Sequence, residues 1–304
     1  MRYVVTGAAG FIGSHLAEAL QSAGHEVLGI DCFTDYYDPA VKERNARSID
    51  VRRLDLAEEA LDFDGFDGVF HLAGQPGVRS FGSVFPLHVR QNVLASQRVF
   101  EAAAASGTRV VFASSSSIYG EAERYPTPED VPPRPVSPYG ITKLTAEHLA
   151  RAYGRSFGLD AVVLRYFNAY GPRQRPDMAF PRVVDALAAG GAFTLFGDGE
   201  QSRSFTFVGD VVEASVLAME RAEAGTTYNV GGGQEATMNE TIALLESIAG
   251  MRLDVRRDEA VAGDQRRTKA DTTRIRDELG WQPSTSLQEG LRAQWSWAAV
   301  ESPA

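Results

Sequence analysis

The chain of 304 residues has a single cysteine, Cys32, so no disulfide can form within it. So few thiols fit a reducing compartment, and a cytoplasmic protein is the expectation. No apolar stretch reaches membrane-spanning length, and no charged leader with a removable apolar segment precedes the run Tyr3 to Val5. Basic charge is also in deficit. Lys and Arg number 30 against 40 Asp and Glu, a net charge of -10, which disfavours nucleic acid and anionic membranes as partners. An anionic ligand would need arginines gathered locally. The histidines His15, His25, His71, His88 and His148 lack metal-ligand spacing with one another or with Cys32, so no metal is expected. There is no internal repeat. What the chain does have is 44% hydrophobic residues, enough for one large domain or two joined lobes.

Strand-like runs at Tyr3 to Thr6, Glu26 to Ile30, Gly68 to Leu72, Arg109 to Ala113 and Ala161 to Leu164 alternate with helical segments. That alternation predicts an α/β fold, a doubly wound parallel sheet with helices on both faces. Ile12, Leu16 and Leu20 have the spacing of one helix face, and Gly107 is placed to close an alanine-rich helix over Phe100 to Ser106. The proline-rich stretch Pro126 to Pro138 reads as a loop. Ser137 then supplies an N-cap and Pro138 a first helical residue, so Tyr139 and Lys143 ride on a helix. Beyond Phe167 the rhythm is less regular, with short strands around Thr194 to Phe196 and Tyr228 to Val230 and helices near Met238 to Ile248 and Leu287 to Ala298. This predicts a second, smaller α/β lobe. The division expected is 1–166 with about 205–228 for the first lobe, and about 167–204 with 229–304 for the second. On the closing helix, Trp295 and Trp297 alternate faces, so one is expected buried and the other partly exposed.

The segment Thr6-Gly7-Ala8-Ala9-Gly10-Phe11-Ile12-Gly13 follows the first strand and opens a helix. There Gly7 makes a tight turn, Gly10 lets backbone approach phosphate, Gly13 lets helix pack on strand, and the helix N-terminus favours negative charge. Glycine triplets alone are weak evidence; an ordinary turn, with Asp31 capping the next element, would read alike. Strand, turn, helix, strand and acid in order favour a dinucleotide. Asp31 ends the second strand, where a carboxylate accepts both adenosine ribose hydroxyls and repels a 2′-phosphate, which selects NAD over NADP. Phe11 and Ile12 belong to the same turn. Asp55 and Leu56 are expected to flank adenine, and Ala73 and Gly74, after Leu72, to let backbone approach the cofactor. Cys32 is assigned to packing, as are His15 and His71 unless they contribute hydrogen bonds.

Tyr139 and Lys143 lie one helical turn apart and face the same way. A lysine ammonium beside a phenol would lower its pKa from near 10 toward working pH, making tyrosinate a base for a hydroxyl proton. By itself the pair usually marks a solvated helix face. Here it follows a dinucleotide fingerprint and a strand ending in Ser114-Ser115-Ser116-Ser117, whose hydroxyls offer to hold the reacting oxygen, although the run would also suit a polar strand end.

With these motifs the chain resembles the extended short-chain dehydrogenase/reductase family, over essentially its full length. The matching segments are Thr6 to Gly13, His71-Leu72-Ala73-Gly74, Asn92, Ser114 to Gly120, Tyr139 to Lys143, Arg165-Tyr166-Phe167-Asn168, Arg203-Ser204-Phe205 and Gly263-Asp264. The resemblance implies a Rossmann fold and tightly held NAD, with Leu72 and Asn92 among the cofactor-binding residues. It also implies Ser115 and Tyr139 at the reacting oxygen and Lys143 on the nicotinamide ribose. Related 4,6-dehydratases carry Asp-Glu at the positions of Ser116 and Ser117, and related uronate decarboxylases keep a glutamate at the second. Serine at both cannot serve as a neutral-pH base without an activating partner, which leaves 4-epimerisation of a nucleotide sugar.

The segments Asp31 to Pro39, Gln75 to Arg79 and Arg175 to Met178 look like UDP-glucuronate 4-epimerases. Asn168 departs from that pattern: threonine is frequent there in those enzymes, whereas asparagine is similar to UDP-glucose 4-epimerases. UDP-glucuronate is therefore the expected substrate, UDP-glucose/UDP-galactose the alternative, and decarboxylation a third reading. Ser116, Ser117 and the Asn168 amide are expected to hold the uronate carboxylate by neutral hydrogen bonds. By resemblance Arg175, Arg203 and Arg266 take the diphosphate, a role that suits a guanidinium, while Phe196 lies on the base and Asp264 takes the ribose. Arg267 is expected to be idle. The resemblance also implies a homodimer through helices near Val93 to Ser106 and Tyr139 to Tyr153.

Overall fold

The computed structural model describes residues 1–77, 81–259 and 267–301. Among these, seven strands form one parallel sheet: β1 (Arg2–Thr6), β2 (Glu26–Asp31), β3 (Val51–Arg53), β4 (Gly68–His71), β5 (Arg109–Ser115), β6 (Ala161–Tyr166) and a last strand, Thr227–Val230. Their order in space is β3-β2-β1-β4-β5-β6 and then Thr227–Val230. The order reverses at the β1/β4 boundary, where an open sheet leaves a crevice at its carboxyl edge.

Successive side chains on a strand serve opposite faces. Tyr3, Val5, Phe70, Val111, Val162 and Leu164 pack with Leu16 and Leu20 of helix Phe11–Ser22 and with Val211 and Ala218 of helix Val208–Arg221. Val4, Val69, Val110, Phe112 and Val163 pack on the other face with Val99 and Phe100 of helix Ala95–Ser106 and with Ala146 and Ala150 of helix Pro138–Phe157. Burial on both sides is why these strands read as continuous apolar runs. Gly107 closes its helix at φ 69°, and the Ser137 hydroxyl accepts the Gly140 N–H at 3.1 Å with Pro138 in the first turn, both as the sequence predicts.

A further apolar cluster joins Phe180 and Leu187 of helix Ala179–Ala189, Phe193 and Leu195 of strand Ala192–Phe196, Leu245 of helix Met238–Ala249 and Leu291 of helix Leu287–Glu301. Trp295 and Trp297 are both half-buried against it, not split between core and solvent. The Tyr228 to Val230 run, expected among the small strands of a second lobe, instead pairs with β6 in the main sheet, so the boundary drawn at 228 falls inside a strand. Ile275, Leu279 and Trp281 likewise pack beneath the sheet.

The outer side of that last strand is met by side chains. The Asn229 N–H donates to Glu129 Oε1 at 2.8 Å, and Arg274 Nη1 donates to the Thr227 carbonyl at 3.3 Å. Among the described residues no helix is long and apolar enough to cross a membrane.

Candidate active site

The chain leaves β1 through Gly7 at φ 72°, a conformation that favours glycine, and the Gly7 N–H donates to the Ile30 carbonyl at 2.7 Å. A Cβ on Gly13 would lie 2.1 Å from the Gly7 oxygen, so helix Phe11–Ser22 sits against the turn only because Gly13 has none. No side chain caps that helix. Its first-turn N–H groups and the glycine cradle fit a dinucleotide pyrophosphate. Asp31 lies beside the turn, Oδ1 accepting the Phe33 N–H at 2.8 Å and Oδ2 the Ala9 N–H at 3.2 Å. Burial pushes its carboxyl up, opposed by those N–H groups and by Lys42. Such an acid fits ribose hydroxyls.

Asp55 and Leu56 are engaged inside the protein. Asp55 accepts the Ala57 N–H at 2.9 Å and Arg90 Nη1 at 2.8 Å; although burial acts to raise it, these partners hold its carboxyl below the usual range. Leu56 is buried in the core.

Beyond β4 a chain of hydrogen bonds fixes the Ala73–Gln75 backbone. The Ala73 N–H donates to Thr6 Oγ1 at 3.1 Å, Thr6 meets His71 Nδ1 at 2.7 Å, His71 Nε2 meets Ser96 Oγ at 2.9 Å, and Ser96 donates to the Asn92 carbonyl at 2.7 Å. Burial, reinforced by Lys143, lowers the His71 pKa to about 3, so the ring is neutral. The donor order puts its proton on Nε2. Asn92 sits in the π-helical turn Val89–Leu94; its Nδ2 donates to the Gln75 carbonyl and to Thr142 Oγ1, both at 3.0 Å, and its Oδ1 accepts the Gln75 N–H at 2.7 Å. The asparagine expected to touch the cofactor thus spends its amide on the loop, which no local sequence signal reveals. Gly74 leaves room here, since a Cβ would lie 2.8 Å from Asn92 Oδ1 and 3.2 Å from Lys143 Nζ.

β5 runs out at Ser115, whose hydroxyl accepts the Ser117 N–H at 3.1 Å and donates to Ser117 Oγ at 3.2 Å, opening the 3-10 turn Ser116–Ile118. Opposite stands helix Pro138–Phe157 with Tyr139 and Lys143. The Lys143 ammonium, buried, donates to the Ala113 carbonyl at 2.8 Å and lies 5.9 Å from the centre of the Tyr139 ring. Burial lowers its pKa to about 8 against the opposing charge of Glu147. The Tyr139 phenol is pushed up by burial, while Arg175 and the Ser115 hydroxyl pull it down. The expectation that Lys143 lowers this phenol is therefore corrected: the ammonium is turned to a carbonyl, and the downward pull comes from elsewhere.

On the other side of the cleft Asn168, at φ 38°, donates from Nδ2 to the Ser204 carbonyl at 3.2 Å and to Thr268 Oγ1 at 2.8 Å. Both amide N–H bonds are committed, so the side chain offers a ligand its oxygen, not the donor expected for a carboxylate. Arg175 pairs with Asp177 through Nε at 3.0 Å and Nη2 at 3.1 Å, and Tyr36 donates to the same carboxylate at 3.2 Å. Arg203 lies in strand Ser202–Ser204, its Nη1 donating to the Ser202 carbonyl at 2.9 Å, and Phe196 ends strand Ala192–Phe196 half-buried. Asp264 and Arg266 lie outside the described residues. Arg267 makes a half-exposed ion pair with Glu235 at 2.8 Å and lies 3.9 Å over the Tyr125 ring.

Residues 3–231 match the model of the NAD dependent epimerase/dehydratase family. The chain belongs to that family. It is 40% identical over 303 residues, 96% of each chain, to the uncharacterized UDP-glucose epimerase YtcB of Bacillus subtilis (strain 168). The solved structure of UDP-glucuronic acid 4-epimerase from Bacillus cereus, in complex with UDP-glucuronic acid and NAD, is similar at a TM-score of 0.95 and 37% identity, covering 99% of this chain and 100% of that one. MoeE5, solved with UDP-glucuronic acid and NAD and again with UDP-glucose and NAD, is 40% identical with a TM-score of 0.88 in both complexes, covering 99% of this chain and 100% and 99% of those chains. As an epimerase/dehydratase family member the chain is an NAD-dependent enzyme with a seven-stranded Rossmann sheet.

Proposed function

We propose that the enzyme epimerises C4 of a UDP-sugar, converting UDP-glucuronate to UDP-galacturonate through a transient 4-keto sugar. The observation that carries this reading is the convergence of Ser115 and Tyr139, with Lys143 behind them, at a strand end where Ser116 and Ser117 supply hydroxyls in place of an acid and base. NAD, when bound, would supply the acceptor and donor of the C4 hydride. Gly7, Gly10, Phe11, Ile12, Gly13, Asp31, Leu72, Ala73 and Gly74 hold it, with Asn92 acting through the loop. Tyr139 takes the C4 hydroxyl proton and gives it back, and Ser115 orients that oxygen. Lys143 keeps two N–H groups beyond its bond to Ala113 for the nicotinamide ribose. Arg175, Arg203 and Arg266 take the diphosphate, Phe196 the base and Asp264 the ribose.

A neutral hexose is the second reading, because an Asn168 oxygen accepts from a C6 hydroxyl and repels a C6 carboxylate. Relatives named for UDP-glucose and for UDP-glucuronate support either. Incubating the protein with UDP-glucuronate, UDP-glucose and UDP-galactose separately, with products resolved by NMR, tests the proposal. A UDP-galacturonate product supports it; turnover of neutral sugars alone overturns the uronate assignment, and CO2 with a pentose restores decarboxylation.

We also infer two lobes, the cofactor lobe taking in 1–166 with 205–230 and 273–281, and a homodimer. The apolar side chains of Leu87, Val89, Leu94 and Ile141 are exposed on two packed helical segments, which supports a partner copy there.

A further inference from the structure

Glu147 follows Lys143 by one turn and Tyr139 by two, so the three side chains share a face of helix Pro138–Phe157. It is wholly buried. Its Oε1 accepts the Ser114 hydroxyl at 2.6 Å and Arg165 Nε at 3.0 Å, and its Oε2 accepts Arg165 Nη2 at 2.8 Å, with Arg151 Nη2 at 3.8 Å. Arg165 then donates from Nη1 to the Tyr119 hydroxyl at 2.7 Å and to the Glu129 carbonyl at 3.0 Å, and Tyr119 donates to Asn229 Oδ1 at 2.8 Å. One carboxylate therefore ties the helix to β5, to β6 and, through Arg165 and Tyr119, to strand Thr227–Val230.

A buried ion pair is poor value as a stabiliser, because apolar residues of like volume do as well or better in its place. Its location supplies another reason for it. Ser114 precedes Ser115, and successive strand side chains face opposite ways, so pinning Ser114 sets the direction of Ser115. The groups facing Lys143 are Tyr139 and Glu147 from its own helix, neutral His71 from β4, and the Ala113 carbonyl and Phe112 ring from β5. Among them Glu147 brings the negative charge.

We propose that Glu147 is a positioning residue of the redox centre, orienting Ser115 through Ser114 and setting a negative charge one helical turn from buried Lys143. The proposal rests on the assignment of Tyr139, Ser115 and Lys143 made above. Burial lowers the Lys143 pKa and the Glu147 charge opposes that, so without the carboxylate Lys143 loses its proton at lower pH. The NAD-bound enzyme is compared with E147Q/R165M, which removes both charges and leaves no orphaned guanidinium, with Ser114→Ala, which keeps the pair, and with Tyr139→Phe. Epimerase kcat and KM are measured from about pH 6 to 10 beside bound NAD and the thermal midpoint.

In E147Q/R165M the alkaline limb of kcat comes down, because Glu147 lies nearer Lys143 than the Arg165 charge removed with it, while KM for the UDP-sugar is little changed. In Ser114→Ala kcat falls about tenfold and the limb stays in place. A merely structural role would lower the thermal midpoint and leave the limb where it was. An unmoved limb in a folded double variant, or wild-type kcat in Ser114→Ala, overturns the proposal; if the double variant does not fold, Ser114→Ala decides. Wild-type turnover by Tyr139→Phe would overturn the underlying site assignment instead, which separates the two failures.

Discussion

Tyr139 stands between opposed influences: burial favours its neutral phenol, while the Arg175 charge and the Ser115 hydroxyl favour the phenolate. Replacing it by phenylalanine keeps the ring and removes the proton acceptor, so kcat should fall by about 10²- to 10⁴-fold with NAD still bound. Steady-state turnover and the nucleotide released on denaturation check this. Tyr139, Lys143 and Ser115 are legible in sequence because helical spacing and a serine run at a strand end are local signals. Glu147 is not, although it continues the same spacing, because a glutamate on a helix usually faces water. Asn168 is legible as a position and not as chemistry. Its donors are spent on Ser204, 36 residues on, and Thr268, 100 residues on, and no window of sequence holds both.

Among the elements, the turn between β1 and helix Phe11–Ser22 tolerates least. Alanine at position 13 gains about 1 kcal/mol of helix propensity. Against that, its Cβ meets the Gly7 backbone oxygen at 2.1 Å, and such overpacking costs about 1–3 kcal/mol or more. Gly13→Ala should therefore purify with little NAD and melt earlier, as nucleotide content and calorimetry would report. His71 binds β1, β4 and helix Ala95–Ser106 together as a neutral ring. Its pKa is about 3 folded, against about 6.5 unfolded. Below pH 6.5 the unfolded chain takes up a proton that the native ring refuses, so stability falls as pH drops, by about 2 kcal/mol at pH 5 from this group. Denaturant unfolding at pH 7 and 5 should show that loss in the wild type and a smaller one in His71→Asn. β1, β4, β5 and β6 are readable because each is buried on both faces, whereas the three residues of β3 are half-buried to exposed. Thr227–Val230 is equally strand-like, yet only its pairing with Val163 to Tyr166 reveals which sheet it joins.

For the whole molecule, the exposed apolar helices predict that Leu94→Lys halves the mass seen by light scattering while leaving the fold intact by circular dichroism. The edges of the sheet bear on assembly in a different way. An unprotected outer strand is a template on which further chains can add and extend into fibrils. At one end Glu129 and Arg274 occupy an outward N–H and an outward carbonyl of Thr227–Val230; at the other, β3 is only three residues long and ends in Arg52 and Arg53. Neither margin offers a free, uncharged ladder to a newcomer. Neither end of the sheet therefore templates a ribbon of further copies, and concentrated protein should stay free of fibrils.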